Sequence, residues 1–196
     1  MFDKKQKKYL TALARSAVSA YFENEDEKEI VAKLSAPPDP LLAKKGASFV
    51  TLTIDGRLRG CIGSVEAHRP LLEDVASNAI HAAFFDPRFE PLLPEEFNTV
   101  AIEVSVLTEP KPLAYAGAED LLAKLRPGID GVILGRGAQR ATFLPQVWEE
   151  LPKKEAFLGH LCAKTGLASD CWKKSGIDIF VYQVESVYFS YSAFFL

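Results

Sequence analysis

The chain has 196 residues, 48% of them apolar, which is enough to build a buried core without a disulfide or a metal. Its 23 Lys and Arg against 26 Asp and Glu leave a net charge of −3, and this weakly acidic balance argues against nucleic-acid binding. No apolar run approaches the roughly 18 residues of a membrane span, and an odd number of cysteines (Cys61, Cys162 and Cys171) argues for free thiols in a reducing cytoplasm rather than a disulfide framework.

Residues 3–22 place Leu10, Leu13, Ala14, Ala17, Val18 and Tyr21 at three- and four-residue steps, the stripe of an amphipathic helix. The basic N-terminus therefore runs into a helix and not into the continuous apolar stretch of a secretory leader. A short second helix is predicted over 26–34. Ser35-Ala36-Pro37-Pro38-Asp39-Pro40 then breaks regular structure, and 35–46 reads as an irregular connection. The β-branched and aromatic run Ser48–Ile54, the turn pair Asp55-Gly56 and the return Arg57–Gly63 spell a β-hairpin. A helix follows over 69–84 and ends at Asp86-Pro87-Arg88-Phe89. Glu95-Glu96-Phe97 reads as a short helical piece. From Thr99 to Leu107 apolar residues alternate, which predicts a strand.

Residues 118–125 read as helix, and Asp130–Leu134 and Arg140–Leu144 as two strands joined through Gly135-Arg136-Gly137. Pro145 opens a short helix, 154–165 forms another with Gly166 as its cap, and Ile177–Phe189 reads as one long strand. The tail Tyr191–Leu196 is apolar enough to need cover, from the body of the protein or from a second subunit in a homodimer. Strands and helices do not alternate strictly, so the pattern predicts an α+β fold with a mostly antiparallel sheet flanked by helices.

Six blocks taken in order resemble the AMMECR domain family, also called protein A of the AmmeMemoRadiSam system. They are Arg59-Gly60-Cys61-Ile62-Gly63; Ala82-Ala83-Phe84-Phe85-Asp86-Pro87-Arg88-Phe89; Glu103-Val104-Ser105-Val106-Leu107; Gly128–Leu134; Phe143–Trp148; and Phe157-Leu158 with Lys164-Thr165-Gly166-Leu167. The likeness runs from about residue 8 to residue 190. It implies a single domain over 1–196 in two lobes, the larger from both chain ends and the smaller from the middle, with the motif blocks lining a cleft between them. It also implies a cytoplasmic protein of unsettled activity. Its partners would be a Memo-type protein and a radical S-adenosylmethionine enzyme; the residues themselves add a small anionic molecule in the cleft, at Arg59 and Arg88, and suggest no cofactor.

Two readings of the residues stand side by side. In the first, Cys61 is a nucleophilic or redox thiol, with Gly60 and Gly63 leaving room beside it and Arg57 and Arg59 on its side of an ideal strand. Arg59 and Arg88 would grip an anion, with Asp86 fixing the turn. Glu103 or His81 would move the proton, since Glu103 interrupts an apolar strand and His81 lies just before the Asp86 turn. In the second reading, the chain is a binding or accessory module. Cys61 is then a small core residue, Asp86 and Arg88 form a structural pair, Glu103 faces solvent, and the other histidines, His68 and His160, have no role. Cys162 and Cys171, nine apart with no Cys-x-x-Cys, do not suggest a metal, and Cys162 reads as core.

Overall fold

The computed structural model describes residues 2–23, 26–36 and 39–189; the apolar tail at 191–196 lies outside them. The chain divides into two compact units, one made of residues 1–107 with 185–196, the other of 108–184.

The first unit opens with helix α1 (Lys4–Phe22). Asp3 caps it: its carboxylate accepts from the Gln6 amide at 2.8 Å, and the Gln6 side chain accepts from the Asp3 amide at 2.9 Å. Helix α2 (Glu27–Leu34) starts at Asp26, whose carboxylate accepts from the Lys28 amide. Strands β1 (Lys45–Ile54) and β2 (Arg57–Gly63) form the expected hairpin. Asp55 and Gly56 both take positive φ, 50° and 74°, the requirement of a primed two-residue turn. A two-residue strand, β3 (Arg69–Pro70), pairs with the start of β1 and leads into α3 (Leu71–Phe84). The short helix α4 (Pro94–Phe97) precedes β4 (Ala101–Leu107). With β9 (Val184–Phe189), the sheet order is β2-β1-β4-β9, with β3 beside β1.

Alternation in β1 and β4 sends Val50, Leu52, Ile102 and Val104 to one face, where they pack with Leu10, Ala14 and Val18 of α1 and Leu72, Val75 and Ile80 of α3 in one fully buried core. The predicted apolar stripe of α1 is the one used.

The second unit holds a four-stranded sheet in the order β5-β8-β6-β7, from β5 (Lys111–Pro112), β6 (Gly131–Arg136), β7 (Gln139–Phe143) and β8 (Asp178–Tyr182). Its pairings are antiparallel. Helices α5 (Ala118–Lys124), α6 (Val147–Glu150) and α7 (Lys154–Lys164) complete its core, in which Trp148 stacks on Phe157 at 3.6 Å.

Two sequence expectations are corrected. The single strand over 177–189 is two strands in two different sheets. They part at Gln183, whose amide donates to the Thr108 hydroxyl at 2.9 Å, whose carbonyl accepts from the Thr108 amide, and whose side chain reaches the Asp130 carboxylate at 3.1 Å. Alternation alone does not reveal where a strand changes sheet. Cys162 and Cys171 are not free thiols but a disulfide, with Cα atoms 6.0 Å apart. The turn after α7, capped by Gly166 at φ +81°, brings a short 3-10 turn, Cys171–Lys173, back against the helix. An odd cysteine count thus resolves into one bridge and one free thiol, Cys61. Among the described residues no helix is long and apolar enough to cross a membrane.

Candidate functional site

The site grows from the pairing of β2 with β1. Cys61 lies opposite Thr51, and Thr51 lies opposite Glu103 on β4, so the three form one row across three strands. Residues directly opposite share a face, and the row spans two strand spacings, about 10 Å between the Cα atoms at its ends. Gly60 settles which face this is. A Cβ added there would lie 2.0 Å from the Ala82 carbonyl oxygen, so Gly60 points at α3 and Cys61, its neighbour, points away from it. Gly63 is tight for a different reason: a Cβ there would meet the Phe49 ring at 2.3 Å. The close approach that both glycines permit is made by the protein's own backbone and ring.

The thiol of Cys61 is half-buried and takes a hydrogen bond from the Thr51 hydroxyl at 3.3 Å. Its backbone is held from outside the sheet. The Cys61 amide donates to Asp86 Oδ2 at 2.8 Å, and its carbonyl accepts from Arg88 Nη2 at 3.1 Å. Both main-chain groups thus point off the edge of β2, and a side-chain pair takes the place of a further strand. Asp86 and Arg88 are locked to each other by two more bonds, 2.9 Å from Nε to Oδ1 and 2.7 Å from Nη2 to Oδ2. The Arg88 amide also donates to Oδ1, which closes an Asx turn. The Arg88 bonds hold the Asp86 carboxyl well below the ordinary carboxylate range, against the opposing effect of burial, and the Cys61 and Arg88 amides add to the lowering. The blocks Arg59–Gly63 and Asp86–Phe89 are therefore joined physically as a clasp.

Other expected partners are placed elsewhere. The alternation that would put Arg57, Arg59 and Cys61 on one face is broken by a β-bulge: the register runs Leu52 with Gly60, then Thr53 with Leu58. Arg57 therefore pairs with Ile54, on the face opposite Cys61. Arg59, the extra residue, is bidentate on Glu96, 2.8 Å for each bond, and also donates to the carbonyls of Glu90 and Pro91. Its partner is Glu96, not Glu103, and each of the two raises or lowers the other's pKa in favour of the charged pair. Glu103 is half-buried, with Oε1 accepting from the Ser105 hydroxyl at 3.1 Å, and Ser105 in turn meets Ser186 of β9 at 2.9 Å. His81 is no partner for the thiol. It belongs to α3, on the other side of the sheet from Cys61, where Nε2 meets Glu27 of α2 at 3.1 Å and the ring packs edge-on against Phe85. His68 is exposed, with Nδ1 against the Glu66 carbonyl.

A buried polar network behind the hairpin escaped the sequence reading. Asp74, fully buried on α3, accepts from the Ser48 amide and hydroxyl, the Ser64 hydroxyl, Arg69 Nε and Asn78 Nδ2, all within 2.6–2.9 Å. This carboxylate ties α3 to the hairpin at both strands. The available signal was an Asp and an Asn four residues apart on α3, a spacing that puts both on one side. In the second unit Asp130, of the block Gly128–Leu134, is likewise buried and gripped by Arg126 at 2.6 Å and 3.1 Å.

This two-unit α+β chain, with its edge strand clasped by an Asp-Pro-Arg turn, is similar to known proteins. The AMMECR1 family model matches residues 11–187, and the chain belongs to that family. A protein of Thermofilum pendens is 40% identical over 190 residues, covering 90% of this chain and 86% of that one. A protein of Methanopyrus kandleri is 40% identical over 185 residues, covering 90% and 85%. Among solved structures, that of an uncharacterized Pyrococcus horikoshii protein is similar with a TM-score of 0.77 and 34% identity, over 91% of this chain and 88% of that one.

Proposed function

We propose that this chain is a binding or accessory component of a pathway rather than a catalyst. It would present the sheet face that carries Cys61, Thr51 and Glu103 to a small anionic molecule or a partner. The observation that carries the reading is that Asp86, Arg88, Arg59 and His81, four of the groups that would serve a nucleophile, each hold a partner of their own. Asp86 and Arg88 are spent on the Cys61 main chain, Arg59 is spent on Glu96, and His81 pairs with Glu27. The thiol accepts from the neutral Thr51 hydroxyl, and the charge of the nearby Arg88 guanidinium is balanced by Asp86. Kinship with the AMMECR1 family supports a pathway shared with a Memo-type protein and a radical S-adenosylmethionine enzyme, in the cytoplasm. Replacing the native gene with one encoding Cys61→Ser tests this: a folded variant that sustains the pathway supports the binding role, and a folded variant that abolishes it refutes it.

One observation favours a second reading, a small-molecule enzyme with Cys61 as nucleophile or redox thiol. The row Cys61-Thr51-Glu103 sets a carboxylate on the same face as the thiol, two strands away, with Thr51 between them. In that case Glu103→Gln would abolish turnover while leaving ligand binding intact.

A further inference from the structure

The sheet face that carries Cys61, Thr51 and Glu103 continues onto β9. The Ser105–Ser186 bond at 2.9 Å and the main-chain bond from Thr108 to Gln183 set β9 antiparallel to β4. In that register Tyr188 lies opposite Glu103. Towards the hairpin turn, Leu58 pairs with Thr53, which shares the face of Thr51, so Leu58 lies on this face too. Helices α1 and α3 pack on the other face. Leu58 is 44% exposed and Tyr188 74%. Two large side chains thus stand uncovered on the two edge strands, roughly 15 Å apart over three strand spacings.

Between them sits Glu103, half-buried. Its Oε1 accepts from the Ser105 hydroxyl, while Oε2 has no partner among the described residues and reaches solvent. Its neighbours on the face are uncharged: Thr51 and Tyr188 across the strands, Ala101 and Ser105 along β4. The arginines of the hairpin and the clasp do not neutralise it. Arg57 lies on the opposite face, Arg59 grips Glu96, and Arg88 grips Asp86. A carboxylate drawn partly out of water without a cation gains most from a charged donor. The net charge of −3 acts in the same direction.

Resting on the reading that this face is the binding surface, we propose that it docks a partner protein through a lysine or arginine side chain. That side chain pairs with Glu103 and lies along the Tyr188 ring, and an apolar neighbour of it meets Leu58. Charge complementarity selects the cation. The breadth of a flat sheet face selects a protein, because small molecules are held in concave sites.

The tripeptide acetyl-Cys-Leu-Arg-amide, supplied to the intact chain as its symmetric disulfide, tests this. The Cys61 thiolate attacks one peptide sulfur, a mixed disulfide forms and one peptide thiol leaves, so the exchange reaches an equilibrium. Mass spectrometry of the fragment containing Cys61 reads it. Peptides with citrulline or glutamate in place of arginine are the neutral and anionic comparisons. Relative to the urea-unfolded chain, the folded chain is expected to capture the arginine peptide about three- to fivefold more than the citrulline one, and the glutamate peptide least. Glu103→Gln, which keeps an acceptor for Ser105, removes the preference. Agmatine, a free guanidinium, is expected to bind no tighter than about millimolar in calorimetry. The proposal is overturned if the parent shows no arginine preference, if the preference survives Glu103→Gln, or if agmatine binds at micromolar concentration, which would make a small amine the occupant. Capture of the three peptides alike sinks the docking proposal alone. A folded chain that captures none of them has this face closed, and the reading of it as the binding surface falls as well.

Discussion

Asp86 accepts the amide hydrogen of Cys61 at 2.8 Å across 25 residues of chain, and Arg88 returns a bond to the carbonyl of that same residue. This relationship makes one unit of two motif blocks. Strand β2 is the edge of its sheet, and at Cys61 its outward main-chain groups are already satisfied.

The clasp predicts an acid dependence of stability. The Asp86 carboxyl is depressed in the folded chain, chiefly by Arg88, so its contribution is full above its unfolded value of about 3.9. The contribution is lost progressively as pH falls below that value toward the folded one. Asp86→Asn is expected to cost about 2–3 kcal/mol at pH 7, through the weakened charged hydrogen bonds. It should also lose less further stability than the parent between pH 5 and pH 2. Urea unfolding across that range measures both.

Gly60→Ala is expected to destabilise by about 3 kcal/mol or more, because its methyl group would sit 2.0 Å from a helix carbonyl that has no freedom to retreat. Gly128→Ala is a useful contrast: it has open space around it but a φ of +75°, so its cost of about 1 kcal/mol is conformational. Unfolding midpoints separate the two.

His81→Gln should change little. The His81–Glu27 pair is about one-third exposed on each side, and such pairs contribute about 0–1 kcal/mol. Because the sheet lies between His81 and Cys61, alkylation of the thiol should proceed at the parental rate, followed by mass spectrometry after timed iodoacetamide exposure.

The disulfide closes a loop with a sequence separation of 9, and losing it should cost about 2–3 kcal/mol by the chain-entropy argument. Thiol titration of the unfolded chain should find one reactive thiol before reduction and three after it. Denaturant unfolding of Cys162→Ala/Cys171→Ala gives the energetic figure.

Much of the fold was legible because it rests on local signals. The stripe Leu10-Leu13-Ala14-Ala17-Val18, the Asp55-Gly56 turn and the alternation of Val100, Ile102, Val104 and Val106 each settle an element without distant information. The meeting of the Cys61 and Asp86 blocks was legible only as a likeness, since no spacing rule links an edge strand to a turn 25 residues on. Three details were hidden. One bulge at Arg59 reversed the face of Arg57, the strand pairing at Gln183 divided one apolar run between two sheets, and the fold of 162–171 paired two cysteines that looked unrelated. Each depends on where a strand or turn lies in three dimensions, which residue alternation does not encode. Asp74 was overlooked for a related reason: its five donors come from four residues, and Ser48, Ser64 and Arg69 lie outside its own helix.

The central claim is that the clasp holds Cys61 in place without arming it. The rate at which limiting iodoacetamide labels Cys61 in the folded chain, compared with the urea-unfolded chain at the same pH, tests this most directly. A half-buried thiol that accepts from Thr51, beside an Arg88 guanidinium already paired with Asp86, should label several-fold more slowly when folded. Labelling that is faster in the folded chain would contradict the account and establish the thiol as a working nucleophile.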